Sequence, residues 1–479
     1  MSVVDLGFDL GTTVTKVCAV TPDGLALLDR SAATAWREQG QGRLDRSPQS
    51  VLDAVEALLA ETAAALGPDV TVRSVGFTSM AEAGVLVDAE GHAHSPVIAW
   101  HDPRGSEQAA ALPPALAEAF PAYTGLPVSH VASFFKLLWL RDEGLELRGL
   151  QWLSVPEWVI LNLGGRRVAE LSLLGRTGLL DVHTDGPWMP ALDHLGVGAD
   201  FLPAIVSAGA PAGTVRQDHP VPTLRGAVLT VAGHDHAVAA AAVGCGAPGS
   251  ALDSFGTAEA YLAAASHVPE PAVVRQLALE GISVYPHVVR GSTGFIGGTR
   301  TGLVLKRVQR VLGAEHEPAR GALDAATLAL APGDTAGVRI TGFHMEDHEV
   351  GIHLGSEAHT PAHVWRAALD GGTARGRQLL ATLHAAGAGV DHLVVAGGWT
   401  RMRSIVQARE VLAPLVEVAE VEQPGTWGAA RFGAWAARSP DGPGPDRRPP
   451  AEWFSRRLAT VPARPTAAAQ TPITEEITP

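Results

Sequence analysis

The chain of 479 residues carries 46% apolar and 18% charged side chains and a net charge of −14. That balance suits a globular protein with two sizeable cores and excludes a disordered chain, while the negative charge argues against nucleic acid or an anionic membrane as the main partner. Cys18 and Cys245 are too few and too far apart for a disulfide scaffold, no run reaches the roughly 18 apolar residues of a membrane helix, and the first nine residues hold two aspartates and no lysine or arginine, so the expected setting is the cytoplasm.

The first thirty residues read as strand, turn, strand, turn, strand: VVDLGFD, VTKVCAV and LALLDRSA are separated by a Gly-Thr-Thr turn and by TPDG. SPQSVLDAVEALLAETAAALG then spaces Val51, Val55, Leu58, Leu59 and Thr62 along one helical face, with Ser47 as N-cap, Pro48 at the first helical position and Gly67 as the stop. VRSVGFTS, GVLVDAEG and PVIAW read as strands, and VASFFKLLWLRDEG and PEWVILNLGG as helices. A Pro- and Gly-containing stretch, 201–222, precedes a new strand, GAVLTVAG, and the expected domain boundary lies there, dividing 1–229 from 230–440.

GHDH reads as a continuation of that strand, which puts His234 and His236 on one face and leaves them an incomplete metal site. SALDSFGTAEAYLAA repeats the opening grammar of strand, Gly-Thr turn and strand, which suggests a duplicated architecture. GFHMEDHEVGIH brings His344 and His348 four apart, but its glycines mark it as a solvated loop. PAHVWRAALDGGTARGRQLLATLHAAG is a long amphipathic helix, VDHLVVAGGWTRMRSIVQAREVLA a strand, a Gly-Gly turn and a helix, and TWGAARFGAWAARS a helix of small residues suited to close packing. The Pro-, Thr- and Ala-containing tail, 441–479, has few core residues and is expected to be loosely held.

Three of these turns can carry chemistry. In Asp9-Leu10-Gly11-Thr12-Thr13 the glycine lets a ligand approach the backbone, and the backbone N–H groups with the Thr12 and Thr13 hydroxyls can donate to phosphate oxygens. Asp9 at the strand end can hold a hydrated Mg²⁺, and Lys16 adds a positive charge. Asp-Leu-Gly occurs twice; the copy at Asp5 lies inside the strand, and only the second runs into the threonines. Ser254-Phe255-Gly256-Thr257 repeats the pattern in the second half, and Gly397-Gly398 closes a strand before a helix, so the three together suit a cleft for a nucleoside triphosphate.

In this order the chain resembles the FGGY carbohydrate kinases of the actin, hexokinase and Hsp70 superfamily over about residues 3 to 440. GFDLGTTVTK is similar to the family's first phosphate hairpin, AWHDPR to its Trp-x-Asp-x-Arg stretch, AGHDHAVAAAAVG to its catalytic-aspartate segment, DSFGTAEA to its second phosphate hairpin and VVAGGWTRM to its adenosine segment. The resemblance implies an α/β fold of two ribonuclease H-like (actin-like ATPase) domains with a cleft between them. It implies ATP-dependent phosphorylation of a sugar or polyol hydroxyl, with ATP and Mg²⁺ as cofactors and Asp235 as the base. On the same ground Mg²⁺ is expected at Asp9 and Asp235, and the nucleotide at Gly11, Thr12, Thr13, Lys16, Gly256, Thr257, Gly397 and Gly398.

TSMAEAG falls where glycerol kinases resemble Asn-Gln-Arg-Glu-Thr and xylulokinases resemble Gln-Met-His-Gly, which makes Glu82 a sugar contact and puts Ala81 in place of the arginine. Neither substrate is thereby assigned. Trp100 as an apolar wall, Asp102 as a hydroxyl acceptor and His236 as a contact from the opposite domain complete the expected substrate set, with Arg104 pairing a neighbouring acid. The expected partner is a small sugar or polyol, and a homodimer is left open. Two other classes share parts of the pattern. An actin- or Hsp70-like ATPase switch would leave AWHDPR and GHDH without a role, and a catalytically inactive sugar-binding regulator would be expected to lack Asp9 or Asp235.

Overall fold

The β-branched opening segments form an antiparallel meander of β1 (Ser2–Leu10), β2 (Val14–Val20) and β3 (Ala26–Ala33). This computed structural model describes residues 2–256, 258–355, 357–438 and 448–454. From Val4 onward β1 is buried on both faces apart from the half-buried Asp9, as suits a strand with neighbours on both edges. Its free edge takes β4 (Val70–Ser79) in parallel, and β5 (Pro211–Thr214) and β6 (Val228–His234) extend the sheet to the order β5-β6-β4-β1-β2-β3.

Helix α1 (Pro48–Leu66) starts where the Ser47 hydroxyl accepts a hydrogen bond from Ser50 N at 3.1 Å, and it stops at Gly67 in a positive-φ conformation. Its buried Val51, Val55, Leu58 and Leu59 share a core with Phe8 and Phe77, whose rings stack 5.1 Å apart. Helix α2 (Ser133–Asp142) is apolar on nearly every side and carries one lysine, Lys136, into the interior.

The second sheet follows the same plan. β7 (Gly249–Phe255) turns into antiparallel β8 (Glu259–Ala265), β9 (Ile282–Pro286) and β10 (Thr293–Thr299) extend that side, and β11 (Val390–Ala396) and β12 (Leu415–Val418) add in parallel on the other. The order is β9-β10-β8-β7-β11-β12, so β7 sits between a hairpin partner and a parallel strand as β1 does. Strand β6, which the sequence reading split at 229/230, lies wholly in the first sheet, and α3 (Asp235–Ala242) begins at the next residue. The alternation assumed for GHDH therefore does not apply, because the chain leaves the strand between His234 and Asp235. Long helix α4 (Pro361–Ala385) packs Trp365, Leu369, Leu379 and Leu383 inward.

Helix α5 (Pro424–Arg438) returns from the far end of the chain to lie on the first sheet. Its backbone presses on two glycines: a Cβ at Gly7 would fall 1.9 Å from Thr426 O, and one at Gly76 would fall 2.0 Å from Ala429 O. The first Asp-Leu-Gly copy is thus a packing motif, with Gly7 seating the helix and Asp5 accepting from Arg73 Nε at 3.0 Å and Ser74 Oγ at 2.6 Å. Gly76→Ala is expected to destabilise the protein by about 3 kcal/mol through overpacking. Urea unfolding checks this; an unchanged midpoint would show that α5 can back away at no cost.

Among the described residues no helix is long and apolar enough to cross a membrane. Of the tail, 448–454 is packed against α5, where the Phe454 ring lies 4.9 Å from that of Phe432 and Trp453 Nε1 donates to Arg431 O at 3.0 Å, unlike the loose segment expected there. The rest of 441–479 lies outside the described residues.

Candidate active site

The ends of β1, β6, β7 and β11 and the start of α5 enclose a cleft of about 610 Å³. Asp9, Lys16, Asp235 and His236 line it from the first-sheet side, Ser254, Gly397, Gly398, Thr400 and Arg401 from the second, and Gln423 to Gly425 close one end. Of the expected nucleotide residues, Lys16, Gly397 and Gly398 are brought together here. Gly256 stands next to them, accepting from Trp399 Nε1 at 3.0 Å, and Thr257 lies outside the described residues. Gly397 is required by its surroundings: its φ is +122° and a Cβ would lie 2.2 Å from Phe255 O. Gly398 faces open space.

Asp9 Oδ1 is buried with no hydrogen-bond partner, and Gly425 is pressed so close that a Cβ there would sit 2.8 Å from Asp9 Oδ2. Lys16, opposite Asp9 in the hairpin, donates to Gln423 Oε1 at 3.0 Å instead. Burial, and then the charge of Asp235, pushes the Asp9 carboxyl up to about 7, against Lys16 and His236. Two carboxylates on one cleft, one with an orphaned oxygen, are a donor set that a hard divalent cation fits.

Asp235 opens α3 at the mouth of that cleft. Its Oδ1 accepts from His236 N at 2.6 Å and meets His236 Nδ1 at 2.7 Å and His234 Nε2 at 3.1 Å, while Oδ2 has no partner among the described residues. Burial opposes the Asp235 charge, but His236 and His234 outweigh it and hold the carboxyl at about 2. The nitrogen atoms of both histidines come within 4.8 Å of Asp235, closer than strand alternation allowed. Their separations from Oδ1 are donor–acceptor contacts, which leave no space for an ion between them. His236 engages the expected base directly, and burial pushes His234 down to about 3.

Of the expected substrate residues, His236 touches Asp235 and Glu82 lies near enough to feel its charge. Glu82 adopts φ +61°, a left-handed conformation unusual for a residue with a side chain, held by Ser133 Oγ donating to its carbonyl at 2.9 Å. Its Oε1 accepts from Arg176 Nε at 2.8 Å and lies 2.7 Å from Nη2; burial raises the Glu82 carboxyl, Arg176 lowers it and the charge of Asp235 raises it further. Trp100 is half-buried and donates from Nε1 to Thr12 Oγ1 at 3.0 Å, and Trp36 Nε1 donates to Thr12 O at 2.6 Å. Thr12 thereby faces the Trp100 wall, and the Gly11 and Thr13 carbonyls are used to hold Thr34.

Asp102 does not fit the role of hydroxyl acceptor. It is fully buried; Oδ1 accepts from Arg104 N and Nε, and Oδ2 from Arg104 Nη2 and Leu44 N, all within 2.9 Å. It braces Arg104, which also pairs with Asp45 at 3.1 Å, so the acid partner expected for Arg104 is present twice over.

Residues that sequence reasoning missed include Arg176, Lys136, Gln423, Gly425 and Tyr285. Lys136 donates to the carbonyls of Trp100 at 2.9 Å and of His130, and burial pulls its ammonium down to about 8. A lone charge within an apolar run was a readable signal for Lys136 and Arg176; Gly425 and Tyr285 carried none.

Two six-stranded mixed sheets of one plan, with Asp9, Asp235 and a Gly-Gly turn at the cleft between them, make up a two-domain fold of the actin-like ATPase type. Residues 4–244 match the N-terminal domain of the FGGY family of carbohydrate kinases. The chain is 26% identical over 457 residues to the L-fuculokinase of Salmonella typhi, covering 90% of this chain and 92% of that protein. Its fold superposes on a xylulose kinase from Rhodospirillum rubrum with a TM-score of 0.80 at 22% identity, covering 90% of each chain. A Plasmodium falciparum glycerol kinase solved with ADP gives a TM-score of 0.79 at 18% identity, covering 90% of this chain and 89% of that one. The chain belongs to the FGGY family of carbohydrate kinases, ATP-dependent phosphotransferases.

Proposed function

We propose that the protein transfers the γ-phosphoryl group of ATP to a hydroxyl of a sugar or polyol, with Asp235 receiving the hydroxyl proton. The observation that carries this reading is Asp235 in the lining of the cleft, with Oδ1 held by His236 and Oδ2 without a hydrogen bond among the described residues. A carboxylate held as low as Asp235 is a weak proton acceptor, and that suits a transfer in which the proton leaves late, as the phosphoryl group arrives. Its first task is to orient the hydroxyl. Asp9, with Asp235 across the cleft, would hold Mg²⁺, which when bound shields the phosphate charge. Lys16 and the Gly397-Gly398 turn suit the nucleotide, and Glu82 and Trp100 the acceptor.

The fuculose, xylulose and glycerol kinases among its relatives take acceptors of different length, so the acceptor is to be found by assay. Coupled ADP release is expected to rise for one or a few compounds in a panel of polyols, ketoses and sugar acids of about three to seven carbons. No acceptor raising ADP release above the acceptor-free rate would sink the proposal. With the acceptor found, Glu82→Gln is expected to lower kcat/KM by about 10-fold to 100-fold, as one charge-assisted hydrogen bond is lost. An unchanged kcat/KM would remove Glu82 from the acceptor site.

A further inference from the structure

His234 ends β6 of the first sheet and Tyr285 lies in β9 of the second, yet the two side chains meet in the interior with Tyr285 Oη 3.0 Å from His234 Nδ1. The meeting is built into the backbone. β9 runs through a slot in the first half whose walls are glycines: a Cβ at Gly125 would lie 2.0 Å from Val284 O, and one at Gly175 would lie 3.1 Å from Tyr285 Cβ. Val284 N also donates to Gly125 O at 2.9 Å. Arg176 lies over the Tyr285 ring, 5.5 Å from its centre, while it holds Glu82.

The direction of the hydrogen bonds follows from the partners. A carboxylate offers only acceptors, so the 3.1 Å contact of His234 Nε2 with Asp235 Oδ1, which is electrostatic and not a hydrogen bond, is attractive when Nε2 carries the hydrogen. Nδ1 is then the acceptor of the ring, and the Tyr285 hydroxyl is its donor. His236 meets the same Oδ1, so both histidines restrain one oxygen of Asp235 and leave the other free.

We propose that Tyr285 is a positioning residue for phosphoryl transfer: from the second sheet its hydroxyl anchors the His234 ring at Nδ1, and the ring so held lies against Asp235 Oδ1 and leaves Oδ2 to the acceptor. This rests on the reading of Asp235 as the proton acceptor. Because Tyr285 belongs to the second sheet and His234, next to Asp235, ends a strand of the first, Asp235 is aligned only when the two halves are correctly placed, and Arg176 ties Glu82 to the same tyrosine.

Tyr285→Phe removes one oxygen and keeps the ring. It is expected to lower kcat by about 10-fold to 100-fold with the KM for ATP nearly unchanged, as replacing an orienting partner behind a reacting group does. In nitrogen-15 spectra of histidine-labelled protein, the His234 signal, identified by its absence in His234→Gln, is expected to show the Nε2–H tautomer in the wild type and a shifted Nδ1 resonance in Tyr285→Phe, where that nitrogen has lost its hydroxyl donor. An unchanged kcat together with an unchanged His234 signal would overturn the proposal. Should Tyr285→Phe not fold, His234→Gln carries the kinetic test, and wild-type kcat there would overturn it equally. If Asp235→Asn is inactive while Tyr285→Phe keeps full turnover, only this inference falls; if Asp235→Asn stays active, the base assignment falls with it.

Discussion

Asp235→Asn is expected to lower turnover by about a thousandfold while the protein stays folded and still binds ATP. The asparagine keeps the size of the side chain and one oxygen, so the contacts from His236 N and the start of α3 can persist. What is lost is the carboxylate oxygen proposed to receive the proton, and asparagine has no equivalent. The groups proposed to bind the nucleotide, Lys16 and the Gly397-Gly398 turn among them, are left in place by the substitution. Turnover by coupled ADP release and ATP affinity by calorimetry check the two halves of the expectation. Near-normal turnover would show that another group takes the proton; loss of ATP binding would show that Asp235 acts in the nucleotide site instead.

The second large effect is expected at Asp9, and Asp5 is its control. Asp9→Asn removes the negative charge beside an orphaned oxygen, and turnover is expected to fall by about 100-fold or more, with half-saturation moved to higher Mg²⁺. Asp5→Asn should act differently. Asp5 is buried and carries Arg73 and Ser74, so breaking that pair is expected to cost about 3 kcal/mol of stability while kcat per folded molecule is unchanged. Titration of Mg²⁺ against turnover, with urea unfolding alongside, separates the two. Equal catalytic damage from both variants would show that the Mg²⁺ site and the Arg73 pair are coupled along β1.

Much of this arrangement was legible in the sequence because it is local. The Gly-Thr hairpin, the Ser47 cap and the Gly67 stop each follow from a few adjacent residues, and the repeated hairpin grammar announced two sheets of one plan. Errors arose where a residue's role depends on what meets it from elsewhere. Asp102 has the chemistry of a hydroxyl acceptor, but Arg104 two residues on and Leu44 from a distant strand consume both its oxygens. GHDH alternates like a strand until the chain turns into α3 at Asp235, a junction that Gly233 and a run of alanines left unmarked. Tyr285 and Arg176 are separated from Asp235 by about fifty residues on either side, and only the docking of β9 between Gly125 and Gly175 brings them in.

The docking of α5 on Gly7 and Gly76 has a consequence for how the chain is made. The first sheet is complete in sequence by His234, yet one of its faces is covered by a helix that leaves the ribosome some two hundred residues later. Until then the nascent first half holds an apolar surface without its lid, and a fragment cut between the two halves would keep that surface bare. The first turn of the same helix sets Gly425 against Asp9. Synthesis of α5 therefore both covers a face of the first sheet and completes one end of the cleft.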